Sequence, residues 1–168
     1  GFKPVLWSTV EKTALADAEV EYQDHKSDTI YASFPVKSSN IKELNDSEIV
    51  IWTTTPWTIP ANKALAYNES LEYSLIQVND EGDFNSRKIV IADALIDSVV
   101  KDTKIQSFKK LKNFKGKDLK GTICNHPFLK LGYEYDIPML EARFVTIEQG
   151  TGIVHCAPSH GPDDFNLC

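Results

Sequence analysis

The feature that most constrains the fold is a series of short runs rich in β-branched and aromatic residues. Turn-forming clusters, such as residues 79–83 (NDEGD) and 149–152 (QGTG), separate these runs. Many short strands closed by turns are typical of a barrel or a sandwich rather than of a doubly wound sheet. The predicted strands are residues 5–9, 19–23, 30–36, 49–54, 73–78, 88–92, 121–124, 144–147 and 153–156.

Helical signals are few. Residues 92–101 carry an apolar stripe at helical spacing, formed by Leu95, Ile96, Val99 and Val100. A second helix is predicted to begin at Pro162 or Asp163, because proline and acidic residues favour first turns. We therefore expect a mainly β fold with a few helices (α+β).

Length and composition indicate one globular domain. A chain of 168 residues buries enough surface to fold without a disulfide or metal staple. Core-like strands continue on both sides of each polar loop, so we predict a single domain over residues 1–168. The first residue is Gly1 rather than methionine, and we expect the domain to be excised from a longer protein.

Cysteine usage and hydropathy predict a cytoplasmic location. Cys124, Cys156 and Cys168 are odd in number and form no CxxC pair, as expected of reduced thiols in the cytosol. No apolar run approaches the roughly twenty residues of a membrane span, and no charged-then-apolar leader is visible. We expect no membrane association.

The charge pattern is uneven. A net charge of -6 argues against a domain that grips nucleic acid by itself, because binding to phosphates usually needs a basic surface. Residues 101–120 nevertheless carry eight lysines against two aspartates. This basic segment is either the solvated face of a hairpin or an edge that faces phosphates.

One stretch, residues 51–62 (IWTTTPWTIPAN), ends an apolar run with three adjacent threonines. Threonine suits a strand end because it is β-branched, which is the structural interpretation. Strand alternation sends Thr53 and Thr55 to one side and Thr54 to the other. The turn forced by Pro56 can nevertheless bring more than one hydroxyl toward a common cavity.

A second stretch, residues 150–165 (GTGIVHCAPSHGPDDF), is dense in titratable groups, as pocket rims often are. Four interpretations are open. The stretch could bind a metal ion through His155, His160 and Asp163 or Asp164. It could instead provide a catalytic nucleophile, Cys156. It could instead be structural, with the aspartates capping a helix. The fourth interpretation is a pocket that holds an amine-bearing ester and a water, if the threonines and aspartates meet in space.

The two stretches, in this order, resemble the signature stretches of the editing domain (connective polypeptide 1) inserted in isoleucine-tRNA ligases. Residues 3–22 (KPVLWSTVEKTALADAEVEY) look like the entry to that insertion. Relatives specific for valine and leucine carry an arginine where this chain has Thr55. Ser159 stands where the family pattern has glycine. The resemblance implies a β-barrel-like editing domain of the class I synthetases for valine, leucine and isoleucine.

The family resemblance also implies an activity. The domain would hydrolyse valine wrongly esterified to isoleucine tRNA and spare correctly charged isoleucyl-tRNA. Its partners would be the acceptor end of that tRNA and the remainder of the parent synthetase, and we expect a monomer. No HIGH-type or KMSKS-type motif of the synthetic site is visible, so this chain should need no cofactor, although the parent enzyme would use ATP and Mg²⁺.

Site roles are assigned from the position of each residue in the family motif. The anchor for the substrate's ammonium is Asp164, and Asp163 is a cap or supporting group. Water and ester placement fall to Thr53 and Thr54. His155 forms the pocket wall, with general-base action as an alternative. The remaining residues, expected to shape the pocket or touch the terminal nucleotide, are Trp52, Thr55, Thr58 and Asn62.

Three alternatives remain at this point. The chain could be the editing domain of a valine- or leucine-specific relative, which Thr55 and His155 disfavour. It could be a non-catalytic module that only captures the tRNA acceptor end. It could also be a metal hydrolase, which a chelator would inactivate. Trp52 and Trp57 are more often core residues than base-stacking ones.

Overall fold

The computed structural model describes residues 3–24, 26–81 and 85–168. Within these residues the regular secondary structure is mainly strand, with two α-helices, α1 (Ile96–Thr103) and α2 (Pro162–Leu167). The strands are β1 (Trp7–Ser8), β2 (Thr13–Ala14), β3 (Ile30–Ser38), β4 (Glu48–Thr53), β5 (Ala64–Tyr67), β6 (Glu72–Val78), β7 (Lys88–Ala92), β8 (Phe108–Lys115), β9 (Ile123–Asn125), β10 (Asp136–Glu141) and β11 (Val154–Cys156). Short 3-10 turns lie at Asp17–Glu19, Lys42–Leu44, Pro56–Ala61, Asp93–Leu95, Gly116–Leu119 and Leu129–Leu131.

Nine of these strands form one mixed sheet in the order β11-β5-β10-β9-β3-β4-β7-β6-β8. The pairs β5–β10 and β4–β7 are parallel, and the other neighbours are antiparallel. The β1 and β2 strands form a separate two-stranded hairpin. The mainly β fold class with few helices is therefore confirmed.

The sheet curls so that β11, at one end, lies against β4. Immediately before β11, the carbonyl of Thr151 accepts a hydrogen bond from the Ala92 backbone N–H at 2.8 Å. Gly152 has a φ of +72°, and a Cβ there would lie 2.4 Å from the Ala92 Cβ. Only glycine fits this close approach. The curling brings the end of β4, with its threonines, next to β11, with His155.

The apolar core fills the inside of the curled sheet. Its fully buried side chains come from distant strands, including Phe34, Ile51, Leu65 and Ile91. Burying one such side chain stabilises the fold by about 1.5–3 kcal/mol. The hydroxyl of Tyr73, inside this core, donates to the Gly152 carbonyl at 2.8 Å, which fixes the approach to β11.

Six of the nine predicted strands are confirmed, and each of their ends lies within two residues of the predicted end. These are the strands predicted at 30–36, 49–54, 73–78, 88–92, 121–124 and 153–156. The predicted helix at 92–101 exists but begins as a 3-10 turn and continues to Thr103. The second helix begins at Pro162 as predicted. In the predicted strand 5–9, only Trp7–Ser8 pairs.

Two predicted strands are wrong. At 144–147, the Val145 N–H bonds the Ala142 carbonyl in a turn, and the Val145 carbonyl accepts from the Asn68 side chain at 3.0 Å. These bonds use the groups that a strand ladder would need. At 19–23, the segment begins in a 3-10 turn, and the Glu19 carboxylate caps the Ala16 N–H at 2.7 Å. Strands β2, β5, β8 and β10 were not among the predicted strands.

The basic segment at 101–120 contains the edge strand β8, which pairs with β6. Three of its lysines make ion pairs with carboxylates of neighbouring elements: Lys110 with Asp93, Lys112 with Glu43 and Lys115 with Glu72. Lysines on an edge strand also discourage edge-to-edge association. Among the described residues, no helix is long and apolar enough to cross a membrane.

Candidate functional site

The threonine turn after β4 is closed by its own hydroxyls. The Thr55 N–H donates to Thr53 Oγ1 at 3.1 Å, and the two hydroxyls lie 3.2 Å apart. The Thr58 N–H and hydroxyl both donate to the Thr55 carbonyl, at 3.0 and 2.8 Å. Pro56 stands at the first position of the following 3-10 turn, where its fixed φ suits a helix start. Side-chain hydroxyls thus supply two of the hydrogen bonds that close this turn.

His155 is held at both ring nitrogens. Thr58 Oγ1 lies 2.7 Å from Nε2, and Asn62 Nδ2 lies 2.9 Å from Nδ1. The only hydrogen of the Thr58 hydroxyl goes to the Thr55 carbonyl, so Thr58 must accept from an Nε2–H. The Asn62 amide can only donate through its nitrogen, so Nδ1 must be the acceptor. The contacts therefore select one neutral tautomer, with its hydrogen on Nε2.

The electrostatics of His155 agree with this tautomer. Burial of the ring, with smaller contributions from the nearby His160 and His126, lowers the pKa of His155 to about 4. The ring is therefore neutral near pH 7. Because one nitrogen carries a hydrogen and the other accepts from Asn62, no free lone pair remains to take a proton from a water. This geometry fits a rigid wall better than a general base.

Asp164 lies in the first turn of α2, and its Oδ2 accepts a hydrogen bond from the Ala157 N–H at 2.8 Å. Burial raises the pKa of Asp164 above its usual range, the Ala157 N–H opposes that shift, and the neighbouring Asp163 adds to it. A nearby cation would stabilise the ionised form of this carboxylate and lower its pKa again.

One cavity joins the two sequence stretches. It has a volume of about 330 Å³ and lies between the threonine turn, β11 and the start of α2. Of the predicted site residues, it brings together Thr53, Thr55, Thr58, His155, Asp164 and Trp52. Its full lining is Trp52, Thr53, Thr55, Trp57, Thr58, Val154, His155, Ala157, His160 and Asp164.

Three predicted site residues do not line this cavity. Thr54 is exposed on the other side of the strand end, and its carbonyl accepts from the Ser27 hydroxyl at 2.8 Å. Asp163 is exposed in the first turn of α2. Asn62 is fully buried behind His155 and reaches the cavity only through that ring.

Four lining residues were not assigned to the site from the sequence: Trp57, Val154, Ala157 and His160. Trp57 is 62% exposed at the cavity rim, so the expectation of a core tryptophan is wrong there. His160 was considered only as a metal ligand, yet it forms part of the wall. A tryptophan between two prolines in a polar turn is the signal that could have marked the rim.

The other chemical interpretations gain no geometric basis. Within residues 3–24, 26–81 and 85–168, no group of three or more His, Cys, Asp and Glu side chains could hold a metal ion. Cys156 is buried, and burial raises the pKa of its thiol far above the usual range, which disfavours a thiolate nucleophile.

The chain matches isoleucine-tRNA ligases along its full length. It is 77% identical over 168 residues to isoleucine-tRNA ligase of Pelagibacter ubique and 49% identical over 175 residues to that of Gluconobacter oxydans, and both matches cover 100% of this chain. The chain spans only 19% and 18% of those two relatives. No family model matches the chain.

Solved structures share the fold at low sequence identity. The crystal structure of GlLeuRS-CP1 has a TM-score of 0.62 at 16% identity, covering 83% of this chain and 58% of that one. The editing domain of P. falciparum cytosolic leucyl-tRNA synthetase has a TM-score of 0.56 at 15% identity, covering 71% and 44%. Along its whole length, this chain is therefore homologous to a segment of isoleucine-tRNA ligases, with the fold of the CP1 editing domains of leucyl-tRNA synthetases.

Proposed function

We propose that this chain hydrolyses the ester of valine mischarged on isoleucine tRNA and spares correctly charged isoleucyl-tRNA. The observation that supports this most is a cavity whose lining includes Asp164, Thr53, Thr55 and Thr58 together with a neutral His155. This combination can hold an aminoacyl ester and a water without a nucleophile, a metal or a cofactor.

Accurate charging needs such a second site. A difference of one methylene is worth only about 10- to 200-fold in a hydrophobic pocket, a limit for which isoleucine-tRNA ligases themselves are the standard example. A hydrolytic pocket that admits valine and refuses isoleucine multiplies that discrimination.

Asp164 is proposed to anchor the substrate. An aminoacyl ester carries an α-ammonium at neutral pH, and a partly buried carboxylate makes a strong, charge-assisted hydrogen bond with it. Because burial raises the pKa of Asp164, the arriving cation would favour its ionised form. Oδ2 already accepts from Ala157, so the carboxylate has a fixed orientation when the substrate enters.

The threonines are proposed to place the ester and the water. Thr53 and Thr55 share one hydrogen bond between their hydroxyls, so one hydroxyl hydrogen of the pair remains free to donate into the cavity. The hydrogen of Thr58 is already used, and one lone pair of its oxygen accepts from His155, so the other can accept a hydrogen from a water. One donor and one acceptor thus face the cavity from the same turn.

The reaction then needs only an oriented water and stabilisation of the developing charge. The water oxygen adds to the ester carbonyl carbon, and the bond from that carbon to the ribose oxygen breaks. The ribose oxygen takes one proton of the water, valine leaves as a carboxylate that contains the water oxygen, and the second proton of the water passes to solvent. The ester is already reactive, so correct placement accounts for most of the required acceleration.

His155 is proposed to select against isoleucine. Its ring is held at both nitrogens and is largely buried, so it cannot turn aside for a larger side chain. Forcing an additional methylene against a rigid wall costs about 1–3 kcal/mol. Valine would fit the same space without moving the ring.

Thr54 and Asp163 have no contact role in this proposal, although the family motif places Thr54 with Thr53 in catalysis. Trp57, at the exposed rim, is available to stack on the terminal base. The partners are the acceptor end of isoleucine tRNA and the remainder of a longer synthetase, acting as a cytoplasmic monomer. ATP and Mg²⁺ would serve the synthetic site of that longer protein.

The experiment compares Asp164→Asn with Asp163→Asn. Asparagine at 164 keeps an oxygen for the Ala157 N–H but loses the charge, and Asp163 supplies a matched neighbour outside the cavity. We expect Asp164→Asn to abolish release of valine from valyl-tRNA(Ile), in the presence of a chelator, while Asp163→Asn stays near wild type. Full activity in Asp164→Asn would reject the anchor, and loss of wild-type activity with the chelator would favour a metal hydrolase.

The same variants address the non-catalytic alternative. A stable valyl-adenosine analogue with an amide in place of the ester reports binding without hydrolysis. We expect Asp164→Asn to weaken its binding strongly. If the wild-type chain binds the analogue but releases no valine from the tRNA, the chain is a capture module for the acceptor end.

A further inference from the structure

The turn that carries Thr58 and Asn62 is held from behind by two aromatic residues outside the cavity. The Tyr135 hydroxyl donates to the Asn62 carbonyl at 3.0 Å, and His126 Nε2 donates to the Ile59 carbonyl at 2.9 Å. The Asn62 N–H bonds the same Ile59 carbonyl at 3.0 Å. Both ends of residues 59–62 are therefore tied to the segment that joins β9 to β10.

His126 is fixed as firmly as His155. Its side chain is 1% exposed, and its Nδ1 accepts from the Phe128 N–H at 3.0 Å. The hydrogen must then lie on Nε2, which explains its donation to Ile59. Its ring stacks on Tyr133 with centroids 4.6 Å apart. Burial lowers the pKa of His126, so this neutral form persists at pH 7.

Tyr135 is also held on its ring face. Lys63 Nζ lies 3.9 Å from the centroid of the Tyr135 ring, a cation–π contact. The backbone N–H of Lys63 donates to the Cys156 carbonyl at 2.9 Å, which ties the same region to β11. The Tyr135 hydroxyl is thus a defined donor rather than a surface group.

Asn62 carries this restraint to the pocket. Its Nδ2 donates to the Ala64 carbonyl at 2.9 Å and to His155 Nδ1 at 2.9 Å, which uses both amide hydrogens. The residue is fully buried. A small shift of the Asn62 backbone would move the amide away from the ring and release the hydrogen bond that fixes the His155 tautomer.

We propose that Tyr135 and His126 are positioning residues for the cavity. They fix residues 59–62 and, through Asn62, hold His155 in one tautomer and one orientation. The consequence for catalysis rests on the proposed editing function, whereas the effect on the His155 ring does not. Neither residue touches the space where a substrate would sit.

The test substitutes Tyr135→Phe, which removes only the hydroxyl. Its matched control is Tyr133→Phe, because Tyr133 belongs to the same aromatic cluster but bonds neither Ile59 nor Asn62. Long-range proton–nitrogen correlation spectra of the histidine rings report the tautomer directly. In the wild type and in Tyr133→Phe, we expect a pure Nε2–H tautomer for His155. In Tyr135→Phe, we expect averaged or broadened nitrogen signals for that ring.

The effect on catalysis is tested by measuring valine release by the wild type, Tyr135→Phe and Tyr133→Phe. Loss of one such hydrogen bond predicts that Tyr135→Phe lowers kcat about 3- to 10-fold with KM unchanged. Tyr133→Phe is expected to keep the wild-type kcat. Unchanged His155 signals in Tyr135→Phe, or equal changes in both variants, would overturn the proposal.

His126 is tested by a pair of variants. Glutamine keeps an N–H donor on a side chain of similar reach, whereas leucine removes it. His126→Gln should keep the Nε2–H signal of His155 closer to wild type than His126→Leu does. Equal His155 spectra in these two variants would remove His126 from the proposal. If the ring responds as expected but no protein releases valine, the editing function fails while the positioning role stands.

Discussion

His155 Nε2 and the Thr58 hydroxyl lie 2.7 Å apart, which joins two stretches separated by 97 positions in the sequence. Both groups are buried, and each has its remaining hydrogen-bonding capacity largely committed to the protein. The contact therefore helps to hold the fold together and also forms part of the cavity wall.

The Thr58–His155 contact predicts a cost for a variant of the same shape. Thr58→Val should lower the free energy of unfolding by about 1–3 kcal/mol, because it leaves the buried Nε2–H of His155 without an acceptor and removes one of the two hydrogen bonds to the Thr55 carbonyl. Thr54→Val is the control, since Thr54 is exposed, and it should change stability by less than about 0.5 kcal/mol. Urea denaturation measures both. Equal effects in the two variants would contradict the assigned contact.

The pKa of His155 predicts how stability depends on pH. The folded pKa, about 4, lies below the ordinary value of 6.5, so the unfolded chain binds more protons between these values. The contribution of His155 is fully present above pH 6.5 and is lost as the pH falls toward 4. The total loss is on the order of 3 kcal/mol.

A proton NMR titration isolates this group from the carboxylates that titrate in the same range. The His155 ring signals should stay nearly constant from pH 8 to pH 5 and change only as the pH approaches 4. A His155 midpoint near 6.5 would show that the ring is not desolvated as described.

The exposed Trp57 predicts a contact with the terminal base. Trp57→Ala should weaken binding of the amide-linked valyl-adenosine analogue by about 1–3 kcal/mol, the usual value of a base–aromatic stack. Stability should hardly change, because the ring is 62% exposed. Tyr22→Ala, at a residue 92% exposed and outside the cavity lining, is the control. Unaltered affinity in Trp57→Ala would leave the rim without a role in binding.

The ion pairs of β8 predict a minor role for these lysines in catalysis. Lys112 lies 2.7 Å from Glu43 on the surface, and such pairs contribute about 0–1 kcal/mol. A triple variant, with glutamine at Lys110, Lys112 and Lys115, should keep its rate of valine release and its KM for the charged tRNA. A raised KM that becomes less sensitive to salt would instead identify this strand as a phosphate-facing edge.

The sequence predicted local features of the site well. Alternation placed Thr53 and Thr55 on the same side of the strand and Thr54 on the other, and the structure shows this arrangement. The start of α2 at Pro162 followed from its first-turn residues. Each of these features depends on neighbours in the chain, which a single sequence displays directly.

Features set by distant contacts were harder to predict. Strand β5 (ALAY) is buried on both sides and shows no alternation, and β10 contains Pro138, a residue that usually argues against an inner strand. The run at 144–147 has a β-type composition, but the Asn68 side chain donates a hydrogen bond to the Val145 carbonyl, which is then not available to a neighbouring strand. The roles of Tyr135 and His126 also depend on folding, since only the sheet order brings them to residues 59–62.

The most direct test of the account compares two esters. Valyl-tRNA(Ile) and isoleucyl-tRNA(Ile) are each incubated with an excess of this chain, and release of the amino acid is followed for wild type and for Asp164→Ala. We predict rapid loss of valine, little loss of isoleucine, and neither in the variant. Release of both esters at the same rate, or valine release that survives in Asp164→Ala, would contradict a valine-selective pocket built on Asp164 and His155.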